Sequence, residues 1–397
     1  MVQTKIMLIA GEASGDALTA ELVMALEREL PAGSPTQGGV PKFFGAGGQK
    51  MAGAGVELLV DMTQHSVIGL IEALKNYHRF KKLFDQLLVI AIERKPDLIV
   101  CVDFSGFNRR FAHAVKNHVR NHAGASAGWN PKIVQYVSPQ VWASRPQRAA
   151  KLARDIDLLL CLFAFEKDWY TGRLPNLRVE FVGHPLVDRY ANAKLPGSPA
   201  VSVSPASGQS IILLPGSRLG ELKRHLLVML SAAQKIYAAH PTARFKVVLP
   251  TTELKALADR MVGRLEVEVQ VGGLGEALSG ATLAIASTGT VTLECAYFGV
   301  PTIAIYKTSW STYQIGKRII QVKFLAMPNL LANEIIFPEL IQHNATPENI
   351  AAEAIDLLTK PERREGIKLK LKSVVEKLGP PGASDRAAKA IANLLKA

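Results

Sequence analysis

The chain reads as an α/β protein made of two Rossmann-like domains, and three observations carry that expectation. Short apolar runs alternate with helical patterns along most of the length, which implies parallel sheets covered on both faces. The alternation stops at a Pro/Ser/Gly-rich stretch, Leu195 to Gly208, and then restarts. The two halves open on the same plan, Ile6-Met-Leu-Ile-Ala-Gly11 and Ile211-Ile-Leu-Leu-Pro-Gly216, each an apolar strand running into a glycine turn.

In the first half the β-like runs are Ile6–Ala10, Phe43–Phe44, Leu98–Val102, Lys132–Tyr136, Leu158–Cys161 and Val179–Phe181. Helical periodicity lies between them at Leu18–Glu29, Leu70–Arg94, Asn108–Val119, Pro146–Ile156 and Phe165–Tyr170. In the second half strands are expected at Ile211–Leu214, Phe245–Leu249, Val267–Val271, Ala281–Ala286 and Thr302–Ile305. The helices are Leu219–Ala239, Thr252–Val262, Leu274–Leu278 and Val291–Tyr297. These elements place an N-terminal domain at 1–190, a second at 210–360 and a helical tail at 361–397 packing back on the first. The two domains are expected to face each other across a cleft. The tail holds nine Lys/Arg against four Asp/Glu, and Ser384 with Asp385 is positioned to cap its last helix.

At 397 residues the chain exceeds one ordinary domain and fits two of about 150–200 residues. Its 48% hydrophobic content supplies two cores, and 20% charged residues is not the composition of a disordered chain. A net charge of +13 points to phosphorylated ligands, an anionic membrane surface or nucleic acid. The last is set aside because basic residues are not interleaved with stacking aromatics. Cys101, Cys161 and Cys295 sit in or beside apolar runs with no metal-ligand spacing, so they read as reduced core residues. Neither a leader peptide nor an apolar stretch of spanning length is evident.

The candidate chemistry lies at strand ends. Pro215-Gly216-Ser217-Arg218 follows an apolar strand and opens a helix, so its amides and guanidinium can receive phosphate. Ser287-Thr288-Gly289-Thr290, followed by Glu294, repeats that plan and adds a carboxylate for sugar hydroxyls. Two such loops suggest a sugar nucleotide. Gly11 to Asp16 lacks the dinucleotide spacing; Ser14 and Asp16 there either cap the helix expected near Leu18 or meet sugar hydroxyls. Asp103 ends a strand and is a candidate general base, with a turn-forming role as the competing reading. Trp142 and Arg145 lie in one loop, offering apolar packing and an anion contact. His184, in Gly183-His184-Pro185, sits at the domain junction; His65 and Asp188 are weaker candidates, and His113, His118 and His122 read as surface residues. No P-loop lysine signature or zinc-ligand spacing is present.

Taken in order, Ser14-Gly-Asp16, Gly45 to Gly55, Gly69-Leu-Ile-Glu72, Val102-Asp103 with Phe107-Asn108, Tyr136-Val-Ser-Pro139 with Val141-Trp-Ala143 and Arg145, Phe165-Glu166, Gly183-His184, Leu214-Pro-Gly-Ser-Arg218 with Glu221, Gly289-Thr290 with Leu293-Glu294, and Pro328-Asn-Leu-Leu-Ala332 before Pro338-Glu-Leu340 closely resemble the lipid-A-disaccharide synthase family. That resemblance implies a GT-B glycosyltransferase joining UDP-2,3-diacylglucosamine to 2,3-diacylglucosamine 1-phosphate, with inversion and without a metal or cofactor. It implies a cytoplasmic enzyme held peripherally at the anionic inner membrane, and it leaves a homodimer open. By the same resemblance the base maps onto Asp103, and the UDP site onto Gly216, Ser217, Arg218, Glu221, Gly289, Thr290, Glu294 and Asn329. Ser14, Asp16, Trp142, Arg145 and His184 fall to the acceptor side or cleft. Val67, Ile68, Leu70, Ile71 and Leu74 read as a greasy rim where acyl chains enter, with basic neighbours for headgroups. The chain departs from the family pattern at Gly106, which removes a second acid and leaves Asp103 for the base role, and at Ser144 and Thr19, which bear on the acceptor side. Other GT-B enzymes that use UDP-GlcNAc, transferases or epimerases, are the competing enzyme class.

Overall fold

The computed structural model describes residues 3–30, 40–62, 77–122, 128–191, 209–263 and 266–396. The chain divides into two compact units, one formed by Met1–Pro185 with Gly379–Ala397 and the other by Leu186–Leu378.

The first unit is a seven-stranded parallel sheet. Its strands are β1 (Lys5–Ala10), β2 (Lys42–Gly47), β3 (Glu57–Asp61), β4 (Leu98–Val102), β5 (Lys132–Tyr136), β6 (Leu158–Cys161) and β7 (Arg178–Phe181), in the spatial order β3-β2-β1-β4-β5-β6-β7. The central strands carry unbroken Ile/Leu/Val runs because both faces are buried; β1 from Ile6 to Ala10 and all of β4 are fully covered. Alternate residues Met7, Ile9, Ile99, Cys101, Ile133 and Leu159 form one core with Phe111, Ala112 and Val115. Those last three come from helix Ser105–Asn121, at the spacing that puts them on one face.

The chain builds outward from β1 through β2 and β3, then reverses and continues from β4 on β1's other side. The ends of β1 and β4 therefore flank the reversal of strand order, where open α/β sheets bind ligands.

The second unit repeats this plan with β8 (Ser210–Leu214), β9 (Arg244–Leu249), β10 (Val267–Val271), β11 (Leu283–Ser287), β12 (Thr302–Tyr306) and β13 (Glu339–Ile341), ordered β10-β9-β8-β11-β12-β13. Its strands are parallel too, and the reversal lies between β8 and β11. Helix Leu219–Ala239 buries Leu222, Leu226, Met229, Ala233 and Ile236 on one stripe.

Several expectations need correction. The first helix begins at Ala13, so Ser14 and Asp16 lie inside it and do not cap it. The last helix begins at Ala383, so Ser384 and Asp385 lie within its first turn, where Asp385 meets Arg28 at 2.6 Å. The basic tail is not one piece. Helix Pro361–Glu376 belongs to the second unit and buries Ile367, Leu371 and Val374 there, whereas helix Ala383–Lys396 belongs to the first. There it packs on helix Ala13–Glu29, and Arg386 Nε donates to the Val182 carbonyl at 2.7 Å. Cys101, Cys161 and Cys295 are free and buried; burial alone pushes the Cys101 thiol up to about 12. Among the described residues no helix is long and apolar enough to cross a membrane.

Candidate active site

Asp103 follows β4 with φ of 49°, and Phe104 follows with φ of 39°. Two consecutive residues with side chains in the left-handed region cost of order 1–3 kcal/mol each unless the surroundings hold them. Asp103 N donates to the Tyr136 carbonyl at 2.8 Å, tying it to the end of β5. The Asn108 amide donates to Val102 O at 3.2 Å and Asp103 O at 2.9 Å. Gln135, 1% exposed, turns its amide nitrogen onto the carbonyls of Asp103, Tyr136 and Val137 at 3.2, 3.3 and 3.1 Å. Val137 itself has φ of 70°, a further strained position at the neighbouring strand end. The Asp103 side chain is half-buried, and Gly106 is exposed on the helix turn that follows. The backbone at Asp103 is thus held in a strained conformation by the buried amides of Gln135 and Asn108.

The segment after β5 carries Trp142 and Arg145. Trp142 Nε1 donates to Glu166 Oε1 at 3.0 Å, and its ring stands edge-on to Phe165 at 5.0 Å between centroids. Glu166 is nine-tenths buried or more; burial raises its pKa, while hydrogen bonds from Trp142 and the Phe163 backbone work the other way. Tyr170 closes the floor by donating its hydroxyl to Pro139 O at 2.6 Å. His184 is buried, with its ring 5.4 Å from that of Phe163.

Asp16 is also buried, and its carboxylate accepts from Gly48 N, Lys50 N and Met51 N at 2.8, 3.1 and 3.1 Å. It caps the short helix Gln49–Gly53 that follows β2, so its oxygens are turned inward. Ser14 is exposed two residues earlier. Thr19 is buried and donates to Gly15 O at 2.6 Å, a helix-internal bond that places this departure from the family pattern in the core. Val67, Ile68, Leu70, Ile71 and Leu74, with His65, lie outside the described residues.

In the second unit the glycine turn after β8 has Gly216 at φ of 116°, and a Cβ there would meet Glu221 Oε2 at 2.4 Å. Glycine is required on both counts. Ser217 N donates to Glu221 Oε2 at 3.2 Å and Arg218 Nη1 to Glu221 Oε1 at 3.4 Å, so Glu221 braces the turn from the first turn of helix Leu219–Ala239. After β11, Gly289 sits at φ of 135° at the start of helix Thr290–Tyr297, with nothing within 4 Å of where a side chain would begin. Gly289 and Thr290 are exposed, leaving the backbone open to a close approach. These two turns leave adjacent strands, since Ala286 is the β11 partner of Leu214. The unit therefore presents two glycine turns and a guanidinium side by side at its switch point, a receptor suited to a nucleoside diphosphate.

Glu294 is buried, accepting from the Tyr190 hydroxyl at 3.1 Å and from Arg189 Nη1 at 3.3 Å; burial raises its pKa against the pull of Arg189. Two lone-pair sites of the carboxylate remain beyond these two contacts. Asn329 is fully buried and spends its whole amide locally. Its nitrogen donates to Phe337 O and Glu339 Oε1, and its oxygen accepts from Ile336 N and Phe337 N, all at 2.8–2.9 Å. Asn329 thus acts on any ligand through the loop it ties down.

Sequence reasoning passed over Gln135, Arg189, Tyr190 and His225, and quoted Glu166 only within a motif. His225, 1% exposed, has Nδ1 2.9 Å from Pro215 O and receives Lys307 N on Nε2 at 3.0 Å. That geometry assigns the ring proton to Nδ1, and burial lowers the pKa, so a neutral imidazole staples the Pro-Gly-Ser turn to the end of β12. Lys307 continues the tie by donating Nζ to the Gln342 and Ala345 carbonyls at 3.1 Å each. Among the described residues no cluster of three or more His, Cys, Asp or Glu is arranged to hold a metal ion.

Comparison with known proteins places this geometry. The family model described as lipid-A-disaccharide synthetase matches residues 6–393. The lipid-A-disaccharide synthase of Anaeromyxobacter sp. (strain K) is 36% identical over 395 residues, 99% of this chain and 98% of that protein. Solved structures share the fold at low identity. A UDP-N-acetylglucosamine 2-epimerase described as putative, from Listeria monocytogenes, has a TM-score of 0.61 at 15% identity, covering 100% of this chain and 97% of its own. The glycotransferase of kitacinnamycin has a TM-score of 0.59 at 14% identity, covering 100% of each chain. The two parallel Rossmann-like units of this chain are thus a fold it shares with both solved structures, one of them a GT-B glycosyltransferase.

Proposed function

The chain belongs to the lipid-A-disaccharide synthetase family, and on that premise we propose that it joins UDP-2,3-diacylglucosamine to 2,3-diacylglucosamine 1-phosphate by an inverting transfer. The observation that carries the reading is the family match over residues 6–393, which spans both units. The second unit takes the nucleotide. The amides of the Gly216 and Gly289 turns and the Arg218 guanidinium receive the diphosphate, and Glu294 accepts from sugar hydroxyls. The first unit takes the acceptor beside Asp103.

In the reaction Asp103 accepts the proton of the acceptor 6-hydroxyl as that oxygen forms its bond to the donor's anomeric carbon. The bond from that carbon to the UDP oxygen breaks on the opposite face, and the electron pair leaves with UDP. Charge grows on the leaving diphosphate in the transition state, and Arg218 with the two turns stabilises it at the moment it appears. Gln135 and Asn108 keep the strained Asp103 backbone from relaxing, so the carboxylate needs no reorganisation before the proton moves. Trp142, Arg145 and His184 fall on the acceptor side. Peripheral attachment to an anionic membrane is part of this reading, because both substrates carry acyl chains.

The test is incubation of purified protein with the diacylated donor and the 1-phosphate acceptor, followed by mass spectrometry. A disaccharide 1-phosphate and UDP in equal amounts are expected. UDP release without disaccharide would mean donor hydrolysis, and products only from unacylated UDP-GlcNAc would point to an epimerase or another transferase.

A further inference from the structure

Four arginines stand at the C-terminal ends of two neighbouring strands in the first unit. Arg109 and Arg110 lie in the first two turns of helix Ser105–Asn121, directly after Asp103. Arg145 and Arg148 flank the 3-10 turn that follows Trp142. Val102 of β4 is paired with Tyr136 of β5, and Asp103 N bonds Tyr136 O at 2.8 Å, so the two segments leave the sheet side by side. Elsewhere in this unit arginines find carboxylates. Arg94 meets Glu57 at 2.8 Å, Arg28 meets Asp385 at 2.6 Å, and Arg120 and Arg154 converge on Asp155 at 3.4 and 3.0 Å.

Among the described residues none of the four clustered arginines is in an ion pair, and the Glu166 carboxylate, held by Trp142 Nε1 and Phe163 N, is spent on its own unit's core. Arg148 registers the crowding, since desolvation and then the charges of Arg145, Arg109 and Arg110 press its pKa down. Guanidinium groups held together without carboxylates are the arrangement that receives a doubly charged phosphate, each fork offering two donors to its oxygens.

We propose that Arg109, Arg110, Arg145 and Arg148 form a phosphomonoester subsite that receives the anomeric phosphate of the acceptor sugar while its 6-hydroxyl faces Asp103. The proposal rests on the transferase reading above and names the group that orients the acceptor. Phosphate and 6-hydroxyl are carried by one sugar ring, so the subsite must lie within one ring of the base. Arg109 follows Asp103 by six residues, and Arg145 follows Tyr136, the β5 residue bonded to Asp103, by nine, so both segments start from the strand ends that carry the base. A substrate anchored at its phosphate presents one hydroxyl to the carboxylate, and an acceptor lacking the phosphate loses that registration.

The experiment pairs a change in the protein with a change in the ligand. Wild type and the double variant Arg145→Gln with Arg148→Gln are assayed in neutral detergent micelles with the 1-phosphate acceptor and with the same acceptor bearing a free 1-hydroxyl. UDP affinity is measured separately. In wild type, removing the phosphate is expected to lower kcat/KM by roughly a hundredfold, two charge-assisted contacts at about tenfold each. In the variant the two acceptors are expected to differ by less than about tenfold, with UDP affinity and the melting curve unchanged. Equal losses on both acceptors would overturn the subsite.

A defect that appears only on anionic vesicles and vanishes in neutral micelles would likewise overturn it, making the arginines a membrane-facing patch. Calorimetric binding of glucosamine 1-phosphate, with glucosamine as control, reads the subsite without turnover. Phosphate-dependent binding in wild type that is lost in the variant supports it even where no disaccharide forms, and that combination would place the fault in the transferase reading. No phosphate dependence in wild type would end the proposal.

Discussion

Gln135→Met is the sharpest probe of how Asp103 is held. The substitution keeps length and volume but removes an amide whose two hydrogens serve three carbonyls, Asp103 O at 3.2 Å, Tyr136 O at 3.3 Å and Val137 O at 3.1 Å. All three distances are long, so at most two are effective bonds at once, each worth about 1 kcal/mol net; Asp103 O keeps Asn108 and Tyr136 O keeps Asp103 N, so only Val137 O loses its partner and the loss comes to about 1–3 kcal/mol. That magnitude is comparable to the strain stored at Asp103, Phe104 and Val137, at about 1–3 kcal/mol apiece. Without the clamp these residues relax toward ordinary backbone angles, and the carboxylate moves with them.

A displacement of about 1 Å at a reacting group costs roughly a hundredfold in rate. The expected result is a kcat about a hundredfold lower with UDP affinity unchanged, because the glycine turns proposed to take the nucleotide belong to the other unit. Urea unfolding followed by tryptophan fluorescence reads the stability term, since Trp129, Trp142 and Trp169 all lie in the first unit. A stability loss of the stated size with kcat intact would refute the positioning role and leave Gln135 a structural residue. Parallel loss of UDP affinity would mean the effect is not confined to the acceptor side.

Arg218→Ala is expected to cost roughly 2–4 kcal/mol of transition-state stabilisation and to weaken UDP binding without changing the melting temperature; unchanged kcat/KM would remove Arg218 from the phosphate site. His225 carries a pH signature. Burial lowers its folded pKa, so the native state disfavours the proton that the unfolded chain takes up near 6.5; the stabilisation is full above that pH and falls away as pH drops below it. Calorimetric melts across that window are expected to show the slope in wild type and to lose it in His225→Gln. Asp155 is buried, yet hydrogen bonding from Arg154 and the charge of His113 outweigh desolvation and bring its pKa down. Its contribution is therefore present above the ordinary carboxylate pKa and lost as pH falls through about 4 and below. Asp155→Asn is expected to cost about 1–3 kcal/mol, read by urea titration at neutral pH, because the partners Arg154 and Arg120 stay in contact with water.

The fold was largely legible because its signal is local. Leu98–Val102, Lys132–Tyr136 and Leu158–Cys161 are continuous apolar runs of strand length, and the structure places strands on those spans. β3 and β13 were missed for a physical reason. Glu57–Asp61 and Glu339–Ile341 are edge strands, only partly buried, so neither carries the unbroken hydrophobic run that marks a central strand. The glycine turns at Gly216 and Gly289 were legible because a strand, a glycine and a helix start follow one another directly in the chain. What the chain hid was the support behind them. Gln135 reaches Asp103 across 32 residues, His225 reaches Lys307 across 82, and Tyr190 reaches Glu294 across 104. No periodicity encodes such pairings, and a buried Gln or His looks in sequence like any other polar residue. Asp16 misled for the same reason, since its partners are the backbone amides of Gly48, Lys50 and Met51.

The most direct measurement is disaccharide formation by wild type and Asp103→Asn side by side, with UDP affinity determined for both. Asn keeps the shape of the side chain and takes away its capacity to hold the proton. The expected result is disaccharide 1-phosphate from wild type, turnover lower by roughly a hundredfold or more in the variant, and equal UDP binding. Near-normal turnover by Asp103→Asn would contradict the assignment of the base, and absence of disaccharide from wild type with both substrates supplied would contradict the transfer itself.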